Sequence, residues 1–368
     1  MIADQPPIGP SPRGRVGAEN RRMTGGRKHG LALSRAYFDE VVAPILTRRF
    51  PDLPYSAGRL GSGSDVLGFD DDVSRDHDWG LRLSLFVAED AVAEVDRELE
   101  RLLPDSFQDL PVRFVFTGQP EQRHYIEVAS EHEFLISRIG FDPRAKPSAH
   151  DWLSVSGQAA LEVVAGPIFV EKTGELTSMR RALEWYPDDV WRYVLACDWI
   201  RIEQELPLMG RAADVGDDLG SRIIAARLVH TIMHMAFMTE RRWPPYAKWF
   251  GMSFRGLADA DEVGGALDDV LRATDIAQRQ AGVASALDLL LDRQNASLLT
   301  ATASASATVP FWDRPHLHPN PEIVSQLLGG ITDPVVAMLP RGRGSVEQRT
   351  DNVDVLVDVA ARMAAVAD

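Results

Sequence analysis

Residues 61–87 read GSGSDVLGFDDDVSRDHDWGLRLSLFV, which is a Gly-Ser turn, an acidic loop and an apolar run in succession. Asp76 and Asp78 precede the apolar run, and residues two positions apart in a β-strand point to the same face. Their carboxylates repel each other unless a cation lies between them, an arrangement used in Mg²⁺-assisted phosphoryl or nucleotidyl transfer. The stretch therefore predicts a buried strand over residues 81–87 with a metal site beside its start.

Length and charge limit the classes of protein to which the chain can belong. With 368 residues, of which 45% are hydrophobic and 25% charged, it is long for one domain and sufficient for two. The formal net charge of -15 argues against a general nucleic-acid binder, which needs a basic surface. We therefore expect no long nucleic acid as a partner, although a nucleotide substrate stays compatible because a metal can carry its phosphates.

Cysteine content and hydropathy indicate where the protein resides. The single cysteine, Cys197, excludes an intrachain disulfide and is typical of a reducing compartment, so we expect a cytoplasmic protein with Cys197 buried in a helix. No apolar run approaches the roughly 20 residues of a membrane span, so no membrane partner is expected. Arg21 and Arg22 are not followed by an apolar segment, which argues against a secretory or twin-arginine signal.

The first half of the chain mixes strand and helix patterns. Residues 1–30 are rich in Pro, Gly and Arg and predict a mobile tail. Helical spacing follows up to Arg49 with Ser34 as its N-cap, and a second helix is predicted over residues 91–103. Strands are predicted at residues 55–60, 81–87, 112–117 and 124–129. Residues 31–175 therefore predict a domain with a mixed sheet and flanking helices.

The second half has a helical period. Apolar residues recur every 3.6 positions in residues 188–206, 220–240, 267–280 and 284–299, and residues 353–366 predict a closing helix. Leu206-Pro207 and Trp243-Pro244-Pro245 separate helices. We therefore predict an α+β protein in which an all-helical domain, residues 176–368, follows the sheet domain.

Two motifs carry a resemblance to known families. Gly61-Ser62 followed by Asp76-His77-Asp78 resembles the signature of the DNA-polymerase-β-like nucleotidyltransferase superfamily. The longer stretch, residues 61–78, more closely resembles an uncharacterised bacterial group, domain of unknown function 4037. Tyr246-Ala247-Lys248-Trp249 and Phe311-Trp312-Asp313-Arg314-Pro315 fit that group too, so the resemblance extends over most of residues 55–320.

The resemblance implies a nucleotidyltransferase-like sheet, one or two Mg²⁺ ions and a nucleoside triphosphate substrate. At Gly61 and Ser62, backbone N–H groups would approach the triphosphate closely, and the Ser62 hydroxyl would donate to a phosphate oxygen. Asp76 and Asp78 would hold the metal, which stabilises developing charge and lowers the pKa of an acceptor hydroxyl. The implied roles are catalytic and metal-binding for the aspartates and phosphate-binding for the turn.

Two further residues complete the implied site. The superfamily needs a third carboxylate on a neighbouring strand, and Glu127 is the candidate because it is a lone acid in a strand pattern; the alternative is a solvent-facing Glu127. Lys248 follows a Pro-Pro turn and would reach the triphosphate, while Tyr246 or Trp249 would stack near a base. The alternative for Lys248 is an exposed start of a helix.

Several other polar clusters have weaker chemical interpretations. His77 points away from the aspartate pair and is interpreted as structural, and residues 70–72 as a solvated loop. A His-Asp dipeptide also marks metal-dependent phosphohydrolases, but there it lies on a helix, whereas here a strand follows. His230 and His234 have zinc-peptidase spacing, but Thr231 stands where those enzymes need a glutamate. His316 and His318 flank a leucine in a Pro-rich loop, where a metal site is not expected.

Charged residues of the helical half are candidates for binding the acceptor. Glu203 or Glu205 would supply a general base by analogy with antibiotic-modifying members of the superfamily. The long side chains of Arg222 and Arg227 would converge on an anionic ligand, although they lie on different faces of one helix.

The sequence thus predicts transfer of a nucleoside monophosphate from a nucleoside triphosphate to an acceptor, with release of pyrophosphate. The acidic chain favours a small-molecule or protein acceptor. Two alternatives stay open. The first is a non-catalytic nucleotide-binding or interaction protein on the same fold, because the acidic 13-residue spacer between Ser62 and Asp76 would crowd a triphosphate. The second is a toxin-like nucleotidyltransferase acting on RNA or protein. The oligomeric state does not follow from the sequence.

Overall fold

The computed structural model describes residues 30–70, 80–116 and 119–367. Asp76, His77 and Asp78 lie outside the described residues. The elements of the first half are α1 (Gly30–Tyr37), α2 (Ala43–Arg49), β1 (Ser56–Gly58), β2 (Arg82–Phe86), α3 (Val92–Leu102), β3 (Ser106–Phe107), β4 (Leu110–Pro111), β5 (Arg113–Phe116), β6 (Gln119–Ala129), α4 (Glu131–Ile139), α5 (Ala149–Ser154), α6 (Gly157–Val164) and β7 (Ile168–Glu171).

The second half consists of helices apart from one two-stranded hairpin. Its elements are α7 (Glu175–Ala182), α8 (Asp188–Asp214), α9 (Asp218–Thr239), α10 (Ala247–Phe254), α11 (Ala260–Arg272), α12 (Ile276–Ala296), β8 (Thr308–Pro310), β9 (Leu317–Pro319), α13 (Pro321–Gly329), α14 (Pro334–Ala337), α15 (Val346–Arg349), α16 (Val353–Val357) and α17 (Val359–Val366). None of the helices within the described ranges is long and apolar enough to cross a membrane. Cys197 is buried in α8, as predicted.

A five-stranded sheet with the order β5-β6-β2-β1-β7 forms the centre of the first half. β2 and β6 run parallel, and the other neighbouring pairs are antiparallel. A parallel pair needs a crossover connection, which the segment containing α3 supplies here. The sheet is therefore mixed and a helical region follows it, which confirms the predicted α+β class.

Alternation along β2 separates a helix-covered face of the sheet from a polar face. Leu83 and Leu85 are buried in a core shared with α1, α2 and α3. Ser84 lies between them in sequence and its side chain points to the opposite face, where its hydroxyl accepts from the Leu60 backbone N–H at 3.3 Å. The face that carries Ser84 is called the polar face below, although Phe86 on the same face packs against Phe134 of α4.

The helical region has a second hydrophobic core, which continues into the first half. It contains Leu135 of α4, Leu153 of α5 and Ala160 of α6 together with residues of α8, α9 and α12. Ser130 and Ser156 fix the starts of α4 and α6 because each side chain accepts from a backbone N–H of the first helical turn. The predicted division at residue 175 stays a prediction, since this core includes residues on both sides of it.

Several predicted helix boundaries are wrong. Ser34, the predicted N-cap, lies inside α1, which begins at Gly30. α8 continues through Pro207 to Asp214, because the proline removes one backbone hydrogen bond while its neighbours Leu206 and Met209 are fully buried. The predicted helix over residues 267–280 is two helices, since the Asp275 side chain caps α12. Asp358 likewise caps α17 and divides the predicted closing helix. Tertiary packing and capping decide these boundaries more strongly than the apolar period does.

Candidate functional site

The Gly-Ser turn follows β1 at the polar face of the sheet. Gly61 has a φ of +80° and donates its backbone N–H to the Glu162 carbonyl at 2.8 Å. Gly63 has a φ of +138°, and a Cβ there would collide with the side chains of Asp65 and Arg59. Glycine is therefore required at Gly63 both by backbone conformation and by space. Ser62, between them, is exposed.

A buried arginine holds this turn in place. Arg59 is only 2% exposed, and its guanidinium binds both Asp65 carboxylate oxygens, at 2.7 and 2.8 Å. It also donates to the Leu60 carbonyl at 2.5 Å and to the Ser62 carbonyl at 2.8 Å. This bidentate pair satisfies the buried charge and fixes the backbone on both sides of Gly61.

Glu127 lies on β6 and approaches the turn from the neighbouring strand. The parallel register pairs Glu127 with Ser84 of β2, so both side chains lie on the polar face. Glu127 Oε1 accepts from Arg138 Nη2 at 2.6 Å. A Cβ built on Gly61 would lie 3.7 Å from Glu127 Oε2 and 3.6 Å from Arg138 Nη2. The structure therefore brings Gly61 and Glu127 together, with Arg138 of α4 between them.

Ser62, Glu127 and Arg138 line one cleft of about 470 Å³ over strands β2 and β6. Its charged lining residues are the arginines Arg59, Arg82, Arg123 and Arg138 and the carboxylates Asp96 and Glu127. Arginines thus outnumber carboxylates among the described residues that line this cleft, which is named the arginine cleft below. Guanidinium groups that reach a concave surface can bind anionic ligands.

Most cleft arginines are held by partners at the rim. Arg82 Nη2 donates to Ser62 Oγ at 3.2 Å, and Arg123 binds Asp96 at 2.8 Å. Arg138 binds Glu162 of α6 at 3.2 Å as well as Glu127. Burial raises the pKa of Glu162 despite the neighbouring Arg138 guanidinium. The guanidinium groups are therefore aligned before any ligand binds.

The Glu127 carboxylate of this cleft is a suitable ligand for a divalent cation. Mg²⁺ binds oxygen ligands, commonly one or two carboxylates together with substrate phosphates. The Glu127 side chain is 39% exposed and faces the cleft, so it suits that role. Over the described ranges no group of three or more His, Cys, Asp or Glu side chains is arranged to hold a metal. The other predicted ligands, Asp76 and Asp78, fall in the segment that the structure leaves out.

Lys248 does not line the arginine cleft. It is exposed in the first turn of α10, with Nζ 4.8 Å from the centre of the Trp249 ring. Trp249 stacks on Phe69 with ring centres 5.4 Å apart, and Phe69 belongs to the loop that follows the Gly-Ser turn. The start of α10 therefore packs against the chain that leads into residues 71–79.

The other charged candidates of the helical half have structural partners. Glu205 pairs with Arg201 and Arg227, Glu203 with Arg341, and Arg222 with Asp218. None of these residues lines the arginine cleft. Arg222 and Arg227 thus bind carboxylates of their own domain and do not converge on a common ligand site.

The histidine pairs of the helical half do not share a metal position. His316 binds Asp214 at 2.7 Å, whereas the His318 ring stacks on Phe311. His234 binds Asp198 at 2.8 Å and the His230 ring stacks on Phe250. Each ring is therefore held by a different neighbour.

Sequence reasoning missed two arginines of the site, Arg59 and Arg138. Arg59 directly precedes Leu60 and the glycine turn. This position was a signal that its guanidinium could support the turn. Arg138 is one of several arginines in helical patterns, and nothing in the sequence separates it from the exposed ones. Only the packing of α4 against β6 and α6 brings it to Glu127.

Comparisons with known proteins agree with part of the predicted resemblance. The family described as Domain of unknown function (DUF4037) has a model that matches residues 152–250, which include Tyr246 and Trp249 but not the Gly-Ser turn. No curated protein matches the chain. The chain is similar to a solved nucleotidyltransferase-like protein from Exiguobacterium sibiricum 255-15, with 11% identity, a TM-score of 0.33, and coverage of 70% of this chain and 75% of that chain. The resemblance to the domain of unknown function 4037 is thereby confirmed over residues 152–250.

Proposed function

We propose that the protein is a Mg²⁺-dependent nucleotidyltransferase. It transfers a nucleoside monophosphate from a nucleoside triphosphate to a small-molecule or protein acceptor and releases pyrophosphate. One observation carries the proposal: the Gly61-Ser62 turn and the Glu127 carboxylate face one cleft lined by four arginines in an acidic chain. A polyanion and a cation can both be held there.

The arginine cleft suits a triphosphate because the ion pairs of Arg123 and Arg138 are partly exposed. Such pairs contribute little stability, so a phosphate oxygen can replace a carboxylate as the partner of a guanidinium. Arg138 is the central case, since it binds Glu127 in the free protein. When it turns to a phosphate, the Glu127 carboxylate becomes available as a metal ligand.

In this proposal the chain's own residues position the triphosphate for an in-line reaction. Backbone N–H groups near Ser62 and the Ser62 hydroxyl donate to phosphate oxygens, and Asp76, Asp78 and Glu127 hold one or two Mg²⁺ ions. Bound Mg²⁺ would neutralise phosphate charge and make an acceptor hydroxyl more acidic. The acceptor oxygen forms a bond to the α-phosphorus, and the bond from that phosphorus to the bridging oxygen breaks. Pyrophosphate leaves with the electron pair of the broken bond. The proton of the acceptor hydroxyl passes to a base.

Calorimetry tests the binding half of the proposal. ATP, GTP, CTP and UTP are titrated with Mg²⁺ and, separately, with excess EDTA; at least one triphosphate is expected to bind tenfold or more tightly with Mg²⁺. Glu127→Gln and Asp78→Asn are expected to remove that Mg²⁺-dependent gain. Glu121→Gln is the matched control for Glu127→Gln, since Glu121 is an exposed acid of the same strand that does not line the cleft.

Each proposed function has its own decisive outcome. If the double variant Asp76→Asn, Asp78→Asn kept the full Mg²⁺-dependent affinity, the assigned site would be wrong. Pyrophosphate release with a panel of small-molecule acceptors supports catalysis, whereas tight binding without release across that panel favours the non-catalytic alternative. Growth arrest on expression that Asp78→Ala abolishes would instead favour the toxin-like activity.

A further inference from the structure

A second polar site lies inside the helical region, under the turn that precedes Lys248. A cavity of about 40 Å³ is enclosed there by Pro244 and Tyr246, by Phe250 of α10 and by Leu356 of α16. His230 and His234 of α9, Glu347 of α15 and Asp351 also line it. Among these, His234 and Glu347 each have a buried side-chain atom without a hydrogen-bond partner. The cavity together with these two side chains is called the His234 pocket below.

His234 presents one unpaired ring nitrogen to this pocket. Its Nδ1 lies 2.8 Å from Asp198 Oδ2, and an ionised carboxylate only accepts, so Nδ1 donates. Asp198 Oδ1 in turn accepts from Gln348 Nε2 at 2.6 Å. The residue is 6% exposed, and its Nε2 is buried without a hydrogen-bond partner. Although burial opposes the charged form, Asp198 raises the pKa of His234, which favours an Nε2–H donor.

Glu347 presents one unpaired carboxylate oxygen to the same pocket. Its Oε1 accepts from the Gly157 backbone N–H at 2.8 Å, at the first residue of α6. Its Oε2 is shielded from solvent and has no hydrogen-bond partner. Burial raises the pKa of Glu347 to about 7, against the opposing charge of His234. A buried polar atom without a partner costs free energy, so both orphan atoms favour an occupant.

The two orphan atoms define the chemistry of that occupant. One is a donor and the other an acceptor, and a hydroxyl group accepts from the first while it donates to the second. An ammonium group would be repelled by a protonated His234, and an anionic group by an ionised Glu347. A volume of about 40 Å³ suits one hydroxyl-sized group, since a water molecule occupies about 30 Å³. The apolar walls suit the carbon to which that hydroxyl is attached.

The His234 pocket lies close to the arginine cleft because α6 connects them. Gly157 at the start of α6 binds Glu347, whereas Glu162 on the same helix binds Arg138 through its side chain and Gly61 through its carbonyl. α6 has 8 residues and is therefore about 12 Å long. A small molecule that reaches from one site to the other thus has ordinary substrate dimensions.

We propose that the His234 pocket binds a hydroxyl group of the acceptor, so that the acceptor is a small hydroxyl compound held between His234 and Glu347. The assignment to the acceptor rests on the proposed function, whereas the specificity for a hydroxyl group rests on the pocket alone. His234 and Glu347 act here as binding and positioning residues.

Nuclear magnetic resonance of the full-length protein with ¹⁵N-labelled histidine tests this specificity. Methanol, methylammonium and formate are titrated at pH 8 as probes of equal size and different charge. Methanol is expected to shift the His234 Nε2 resonance saturably, and the two ions are not. Exposed His150 serves as the internal reference. Equal responses to all three probes, or no saturable shift, would mean that the pocket holds only water, and the proposal would be wrong.

A matched variant tests the acceptor half of the hydrogen-bond pair. Glu347→Gln keeps the side-chain shape and the bond from Gly157, but turns an amide N–H₂ donor toward His234. The hydroxyl oxygen of methanol could accept from both donors, but its own O–H would then have no acceptor in the pocket, so methanol is expected to bind at least tenfold more weakly. An unchanged methanol affinity in a folded Glu347→Gln protein would overturn the proposed role of Glu347.

The outcome is separable from that of the proposed function. Glu347→Gln is expected to leave Mg²⁺-dependent triphosphate binding unchanged, and Asp78→Asn to leave methanol binding unchanged. If methanol binds and no triphosphate does, the hydroxyl site stands and its assignment to an acceptor fails. If a triphosphate binds and methanol does not, only the proposal for the His234 pocket fails.

Discussion

The arginine cleft and the His234 pocket differ in how their ionisable side chains are paired. In the cleft, Arg138 and Glu127 pair with each other at a partly exposed rim. In the pocket, His234 and Glu347 are enclosed, and each keeps one polar atom without a partner. The first site is open and lined by several arginines, whereas the second is small and combines one donor with one acceptor.

The difference follows from solvent access. Water screens the cleft, so its ion pairs cost little to exchange and a polyanion can take over the guanidinium groups. Burial around the pocket makes any uncompensated charge costly, so its pKa values shift and a neutral hydroxyl fits best. The two sites therefore suit ligand groups of different charge.

The largest expected effect concerns the buried support of the cleft. Asp65→Ala leaves the Arg59 guanidinium buried without its carboxylate, so the free energy of unfolding should fall by about 3–5 kcal/mol in urea denaturation. Asp39→Ala is the control because it removes the partner of an exposed arginine, Arg35, and should cost at most about 1 kcal/mol. Equal losses in the two variants would show that the Arg59–Asp65 pair does not support the turn.

The second largest effect is expected in the pH dependence of the free energy of unfolding, because of Glu347 in the His234 pocket. The pKa of Glu347 is raised from 4.5 to about 7 in the folded protein, so folding favours its protonated form. Its contribution to stability is present below about pH 4.5 and is lost as pH rises through about 7, by on the order of 3 kcal/mol. Glu347→Gln should remove this part of the decline measured by urea denaturation between pH 5 and 8.

His234 and a control variant, Glu121→Gln, help to interpret the pH experiment on Glu347→Gln. His234 stays in Glu347→Gln, and because its pKa is raised as well, its own contribution also declines with rising pH. Some decline should therefore persist. Glu121→Gln, at an exposed acid, should follow the wild-type curve. A Glu347→Gln curve that coincides with the wild-type curve would contradict the enclosed environment of this carboxyl.

A smaller effect is expected on triphosphate binding when Arg138 of the arginine cleft is replaced. Arg138→Gln removes a charged donor that we expect to bind phosphate, so the Kd for the preferred triphosphate with Mg²⁺ should rise about tenfold in calorimetry. Arg144→Gln is the control, since Arg144 pairs with Asp142 and Glu175 and does not line the cleft. Should both variants bind alike, the arginine cleft would not be the triphosphate site.

The smallest effect is expected for Lys248, the residue of the helical half that is predicted to bind the triphosphate. Lys248 is exposed, so Lys248→Ala should raise the triphosphate Kd only about two- to fivefold, the scale of an exposed charge. Lys172→Ala is the matched control because Lys172 also lies over an aromatic ring, that of Tyr55. An effect above tenfold would instead indicate that α10 closes over the cleft when the ligand binds.

The strand pattern and the glycine turn were predictable because their signals are local. Alternation in residues 81–87 predicted β2, and Gly61, Ser62 and Glu127 were named from the sequence before their common cleft was visible. Their roles, and those of Asp76, Asp78 and Lys248, stay predictions. Helix ends were less predictable, since Pro207 lies inside α8, where burial of its neighbours outweighs the lost hydrogen bond.

By itself, the sequence determined the mixed-sheet half, the helical half and the acidic motif, because periodicity, turns and composition act over a few neighbouring residues. Only the tertiary structure decided that Arg138 meets Glu127, that Arg59 is buried under the turn, and that His234 and Glu347 share a pocket. The Arg138–Glu127 and His234–Glu347 encounters each join different elements, although Arg138 and Glu127 are only 11 positions apart in the chain. They depend on how α4, α6, α9 and α15 pack, and no local pattern specifies that packing.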